Sequence, residues 1–145
     1  NKEGLWHEIQ KNSVRQLPVR LREAVAQESD AVRQFRQLLQ VHLELADEFR
    51  RESRIFFVNA DQIDASRNTR QREIQREVLE VYLGVLRRLQ RQGHVKLRYP
   101  KITAFNVLGV LNWMLRWYRP EGKLGAAEIH EEIIGFVMRG VGLRE

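Results

Sequence analysis

Asn112 and Arg116 are the pair best placed to do chemistry in this chain. They stand four residues apart in the run Leu111-Asn112-Trp113-Met114-Leu115-Arg116-Trp117-Tyr118-Arg119-Pro120, so on a helix both side chains reach one anionic or carbonyl group, and the guanidinium can hold a carboxylate or phosphate in bidentate fashion. His42, on an apolar face, adds a further hydrogen-bonding group. Phe35, Leu39, Phe56, Val78, Tyr82, Phe105 and Trp113 are the candidate walls of an apolar cavity around them. This is the chemistry of binding rather than of catalysis. The chain has no nucleophile elbow, no phosphate-binding glycine loop and no His-Glu-x-x-His pair, and His7, His42, His94 and His130 are far apart in sequence. With no cysteine there is no thiolate chemistry and no cysteine-based metal site. No enzymatic activity, cofactor or metal is expected.

Each candidate has a plainer reading. Asn112 and Arg116 can instead pair with Glu131 or Glu132 of the last helix, because a buried charge needs a partner of some kind. Trp113 and Trp117 suit core packing or a subunit contact equally well, and His42 suits a satisfied core histidine.

These residues need helices to hold them, and the hydrophobic periodicity is helical throughout with no strand alternation. A first helix is expected from Asn1 through Leu5 and Ile9, with Pro18 kinking or interrupting it. Periodicity resumes from Leu21 to Ala26. Ser29 or Asp30 then opens a helix through Val32, Phe35, Leu38, Leu39, His42, Leu43 and Ala46, and another stretch follows through Phe49, Ile55, Phe56 and Val58. The polar run from Asp61 to Thr69 reads as a loop. A long helix carries Ile74, Val78, Val81, Tyr82, Val85, Leu86 and Leu89 and stops at Gly93. Pro100 starts the tryptophan-bearing helix, and Pro120 and Gly122 end it. The last helix begins after Gly125, with Glu128 placed as half of a capping box. The expected fold is an all-α bundle of five to six helices in a single domain, residues 1–145.

Within the tryptophan-bearing helix, Ala104, Val107, Leu108, Leu111, Leu115 and Tyr118 form one apolar stripe. The adjoining strip is Phe105, Gly109, Asn112, Trp113, Arg116 and Trp117, a mixture suited to a pocket wall. The last two helices together offer Val107, Val110, Leu111, Met114 and Tyr118 with Ile129, Ile133, Phe136 and Val137. That is more apolar surface than one helix pair should bury alone, which predicts a homodimer joined through a four-helix interface.

The 145 residues carry a formal charge of +6. From Arg50 to Arg98 there are twelve Lys or Arg against six Asp or Glu, and the rest of the chain has thirteen of each. The whole excess therefore lies in the middle third, where many arginines alternate with Glu73, Glu77 and Glu80 at helix-pair spacing. The basic zone suits a phosphorylated ligand or an acidic partner, and without aromatic interleaving it promises only weak, salt-sensitive nucleic-acid binding. No apolar run is long enough to span a membrane and no secretory leader is present. A cytoplasmic protein is expected, and the start at Asn1 suggests a piece of something longer.

Asn1-Lys2-Glu3-Gly4-Leu5 resembles the Asn/Ser-Lys-Glu-x-Leu element that follows the recognition helix in TetR-family transcriptional repressors. Asn112-Trp113, Arg116-Trp117-Tyr118-Arg119-Pro120, Gly122 and Leu124 resemble the penultimate helix and turn of one branch of that family, many of whose members are linked to fatty-acid, acyl-CoA or steroid catabolism. The segment from Glu128 to Met138-Arg139-Gly140 is similar to the last helix there. Gly125 departs from the pattern, since a serine or similar cap is usual at that place.

The resemblance implies a ligand-binding and dimerisation domain whose DNA-binding helix-turn-helix unit lies upstream and is absent from this chain. Lys2 matches a position that commonly touches a DNA phosphate. The implied effector is an acyl-CoA, or a fatty, steroid or aromatic acid, which lowers operator affinity. The competing reading is a helical oligomerisation or partner-binding module with no effector. A cavity of several hundred cubic ångström separates the two.

Overall fold

A computed structural model describes residues 15–48, 65–119 and 122–144. These contain five helices and no strand: α1 (Gln16–Ala26), α2 (Ala31–Glu48), α3 (Ala65–Arg91), α4 (Pro100–Trp117) and α5 (Ala126–Val141). The all-α bundle expected from periodicity is the observed fold. The expected helical stretches before Arg15 and through Phe49 to Val58 lie outside the described residues, as do Lys2 and Phe56.

The helix ends show why these segments fold as they do. Asp30 caps α2, its Oδ2 accepting the Arg33 amide at 2.9 Å, which satisfies one of the otherwise free N–H groups of the first turn. Pro100 occupies the first turn of α4, where its missing N–H costs nothing. Gly93 closes α3 in the left-handed conformation, φ 80°, with its amide on the Gln90 carbonyl at 3.0 Å and the His94 amide on the Leu89 carbonyl at 2.9 Å. The Gln90 side chain also accepts the Leu97 amide, so the turn between α3 and α4 is fixed at several points. Gly142 ends α5 in the same way, φ 97°, its amide and that of Leu143 returning to Arg139 and Met138.

Three expectations about boundaries are corrected. Pro18 does not interrupt a helix; it sits in the first turn of α1, a position that proline tolerates. The polar run before Arg70 is not all loop, because Ala65 to Thr69 are already helical; a long amphipathic body propagates into polar sequence at little cost. Glu128 makes no capping bond. Gly125 supplies no side chain for the reciprocal bond of a capping box, and Glu128 acts at that helix start only through its charge.

The core runs through the bundle. Leu21 of α1, Phe35, Leu38, Leu39 and Leu43 of α2, and Tyr82, Leu86 and Leu89 of α3 are fully buried. Ala104, Leu111 and Met114 of α4 and Ile134 and Val137 of α5 join the same cluster. Polar ties fix α5 to α2: Arg36 donates to Glu131 at 2.7 Å, and the buried His130 lies 2.8 Å from Asp47. Glu131 thus finds its partner on α2 rather than on α4.

Candidate functional site

Residues of α1, α2, α3 and α4 line a cavity of about 340 Å³. Its walls are Leu17 of α1, Ile74, Val78 and Leu79 of α3, and Phe105, Leu108 and Gly109 of α4. Polar groups enter from three helices: His42 of α2, Asn112 of α4, and Gln75 with Arg76 of α3. The size is at the lower end of small-molecule sites, and the mix of apolar wall with a few polar groups is typical of them. Gly109 keeps part of the wall bare; a Cβ there would meet nothing within 4 Å.

His42 is the buried polar group of the cavity. Its Nδ1 is 2.7 Å from the Tyr82 hydroxyl, the two rings are tilted at 53° with centroids 5.7 Å apart, and both residues are buried. Burial lowers the His42 pKa from 6.5 to about 4 and raises that of the Tyr82 phenol, because each charged form would lose its water. At neutral pH the site holds an uncharged imidazole against an uncharged phenol.

The candidate ligand-binding residues divide into three groups. His42, Val78, Phe105 and Asn112 come together in this cavity. Phe35, Leu39 and Tyr82 are fully buried in the core, with Tyr82 reaching the cavity through His42. Trp113 and Arg116 lie on the outer face of α4: Trp113 is 61% exposed and the Arg116 guanidinium stacks over its ring at 5.2 Å, a cation–π contact within one helix. Arg116 is exposed and does not line the cavity beside Asn112, nor does it pair with Glu131, which Arg36 occupies. Sequence reading missed Leu17, Ile74, Gln75, Arg76 and Leu79 as wall residues and assigned Leu108 to the packed stripe. Gly109, placed with Phe105 and Asn112 in the expected pocket-wall strip, does line the cavity.

The expected dimer residues are also redistributed. Val107, Leu111, Met114, Tyr118, Ile133 and Val137 are buried inside the protomer, whereas Val110 and Ile129 are partly buried and Phe136 is 59% exposed. The large apolar side chains left open on these two helices are Ile102, Phe105, Trp113, Trp117 and Phe136.

A second groove, about 370 Å³, runs along the other side of α3 between Arg22, Gln34, Glu77, Glu80 and Arg88. Two of its polar side chains, Gln34 and Arg88, are bound to each other and to the backbone. The Gln34 amide donates to the carbonyls of Val25 at 2.8 Å and Glu28 at 3.0 Å, and Arg88 donates to the Gln34 side-chain oxygen and the Ser29 carbonyl.

Residues 28–141 match the family model described as the tetracyclin repressor-like, C-terminal domain. The chain belongs to the TetR family. The fold agrees. PfmR from Thermus thermophilus, a TetR-family transcriptional regulator, superposes with a TM-score of 0.85 at 22% identity, over 100% of this chain and 78% of that one. The ketosteroid transcriptional regulator KstR2 of Mycobacterium tuberculosis gives 0.88 at 18% identity, over 100% and 74%. AibR, solved in complex with isovaleryl coenzyme A and operator DNA, gives 0.79 at 18% identity, over 94% and 74%. Among curated proteins none matches significantly. TetR-family proteins are regulators of transcription, and this chain is a ligand-binding domain of that type. Among the described residues no helix is long and apolar enough to cross a membrane, and no group of three or more His, Asp or Glu is placed to hold a metal.

Proposed function

We propose that this domain senses a small effector and dimerises, as the C-terminal part of a repressor whose operator affinity falls when the effector binds. The cavity between α3 and α4 carries the reading. A solid interior would favour a plain oligomerisation module, whereas about 340 Å³ of mostly apolar space with His42 and Asn112 at its wall is a site for a ligand with a greasy body and a polar head. DNA contact belongs to a helix-turn-helix unit preceding this domain, with Lys2 near a backbone phosphate. No enzymatic activity is assigned to the domain, and the regulator acts in the cytoplasm.

An acyl-CoA is the favoured effector. Its acyl chain suits the cavity, Arg76 is an exposed cation on the cavity wall, and the basic middle third of the chain suits its phosphates. Fatty, steroid and aromatic acids are the competing ligands. For the switch to work, the effector must bind one conformation better than the other; a 100-fold preference corresponds to about 2.7 kcal/mol.

The second copy packs on the open faces of α4 and α5, where Ile102, Trp113, Trp117 and Phe136 expose large apolar side chains that a monomer would leave in water. The deciding experiment is a thermal-shift series with acyl-CoAs of graded chain length beside the matching free acids, followed by operator binding of the full regulator with and without the hit. Stabilisation by one chain-length window together with weakened operator binding is expected. No stabilisation by any acyl-CoA, with free acids active, would move the assignment to the acids.

A further inference from the structure

His42 has a fixed tautomer, and this decides what kind of head group the cavity accepts. The Tyr82 hydroxyl is fully buried and its one hydrogen-bond partner among the described residues is His42 Nδ1, at 2.7 Å. If Nδ1 carried the proton, the phenol O–H would be left with no acceptor in a dry interior, a loss of about 1–3 kcal/mol. The bond therefore runs from the Tyr82 O–H to Nδ1, and the imidazole proton sits on Nε2. The imidazole lines the cavity, and Nε2–H has no partner among the described residues. The side-chain amide of Asn112, half-buried and lining the same cavity, likewise has none.

We propose that His42 Nε2–H and the Asn112 amide together receive an uncharged oxygen acceptor, the carbonyl of a thioester, amide or ketone, and that the cavity selects such a carbonyl over the carboxylate of the same skeleton. This rests on the effector-binding reading above and names the chemistry that it requires.

The reason is the distribution of charge. Arg76 is the one cation lining the cavity among the described residues, and it is exposed; Arg116 is held over Trp113 on the outer face. A neutral carbonyl needs only the two donors. A carboxylate brought to the same place would lose water and gain only the solvent-exposed Arg76 as a counter-ion, a weak return for its desolvation. His42 does not supply the missing charge, since burial keeps it neutral well below pH 7. Tyr82 is a positioning residue: it acts on the ligand only by holding the His42 proton on Nε2.

Octanamide and octanoate make the cleanest probes, since they share a chain and differ in head-group charge, with octanoyl-CoA as the thioester. At pH 7, calorimetry on the dimeric protein is expected to show octanamide at least tenfold tighter than octanoate. Asn112→Ala should erase most of that preference. His42→Gln, which keeps an uncharged N–H donor, should retain it, whereas His42→Phe should abolish it. Tyr82→Phe should reduce it while the protein still folds, because the imidazole proton is then free to move. Octanoate binding as tightly as octanamide, or a preference that survives Asn112→Ala and His42→Phe, would overturn the proposal and leave the effector reading standing. Failure of all three probes to bind would overturn the proposal, and the effector reading would fall with it only if the graded acyl-CoAs and the competing acids also gave no stabilisation.

Discussion

Two grooves of nearly equal size lie along α3, and they differ in what their polar groups are doing. In the groove lined by Arg22, Gln34 and Arg88, the amide and the guanidinium satisfy each other and the backbone turn from Val25 to Ser29. In the groove lined by His42 and Asn112, one imidazole nitrogen is committed to Tyr82 and the remaining donors have no partner among the described residues. Volume does not distinguish a ligand site from a structural seam here; unspent hydrogen-bonding capacity does. Donors on a cavity wall that no protein group has taken up are available to a ligand. The same contrast separates the two faces of α4, with Leu111 and Met114 committed to the core and Trp113 and Trp117 left open.

The sharpest way to break this contrast is to place a charge on each kind of position. Leu111→Asp should unfold the protomer, because an unpaired carboxylate in the core costs more than about 4 kcal/mol. Phe136→Asp should leave the fold intact and yield a monomer. Circular dichroism with sedimentation velocity checks both, and a folded Leu111→Asp or a fully dimeric Phe136→Asp would show that committed and open residues have been confused.

The next effect comes from pH. The folded-state pKa of His42 is lowered to about 4 from 6.5, so between those values the unfolded chain binds the proton first. Its contribution is fully present above pH 6.5 and is lost as pH falls toward 4, amounting to about 3 kcal/mol at the lower end. Urea melts of the native protein and His42→Gln across this range should therefore converge. Parallel curves would mean that the imidazole is not held dry against the cavity.

Smaller effects compare the two amides directly. Gln34→Ala removes a buried group with three partners and should cost about 1–3 kcal/mol in stability while leaving ligand binding unchanged. Asn112→Ala should stay within about 0.5 kcal/mol of the native protein and yet diminish the thermal shift given by octanoyl-CoA. If the two variants exchanged behaviours, the assignment of the grooves would be reversed.

Much of the fold was legible because its signals are local. Asp30 before the Val32–Phe35 periodicity, Gly93 after Leu89 and Pro100 before Ala104 mark helix ends by mechanisms that act within one turn. Ala65 to Thr69 escaped because a first turn can be helical without any apolar periodicity of its own. The site was harder to read. Asn112 and Arg116 share a helix turn, but four residues advance the side chain about 40° around the axis; that step carries Arg116 past the edge of the cavity to Trp113. Likewise, a stripe such as Val107, Leu111, Met114 and Tyr118 announces that it will be buried without saying against what, and the protomer's own core claimed it. Leu17, Ile74 and Leu79 became wall residues only through the way three helices cross, which no single helix encodes.

The several bonds that pin the turn from Leu89 to Pro100 make that end of α3 a fulcrum. Ile74, on the cavity wall, stands about 22 Å from Leu89 along the helix, and Ala65 about 36 Å. A guest that pushes Ile74 outward by about 1 Å therefore swings the first turn of this rod by roughly 1.6 Å, and the far tip travels further than the point where the force is applied.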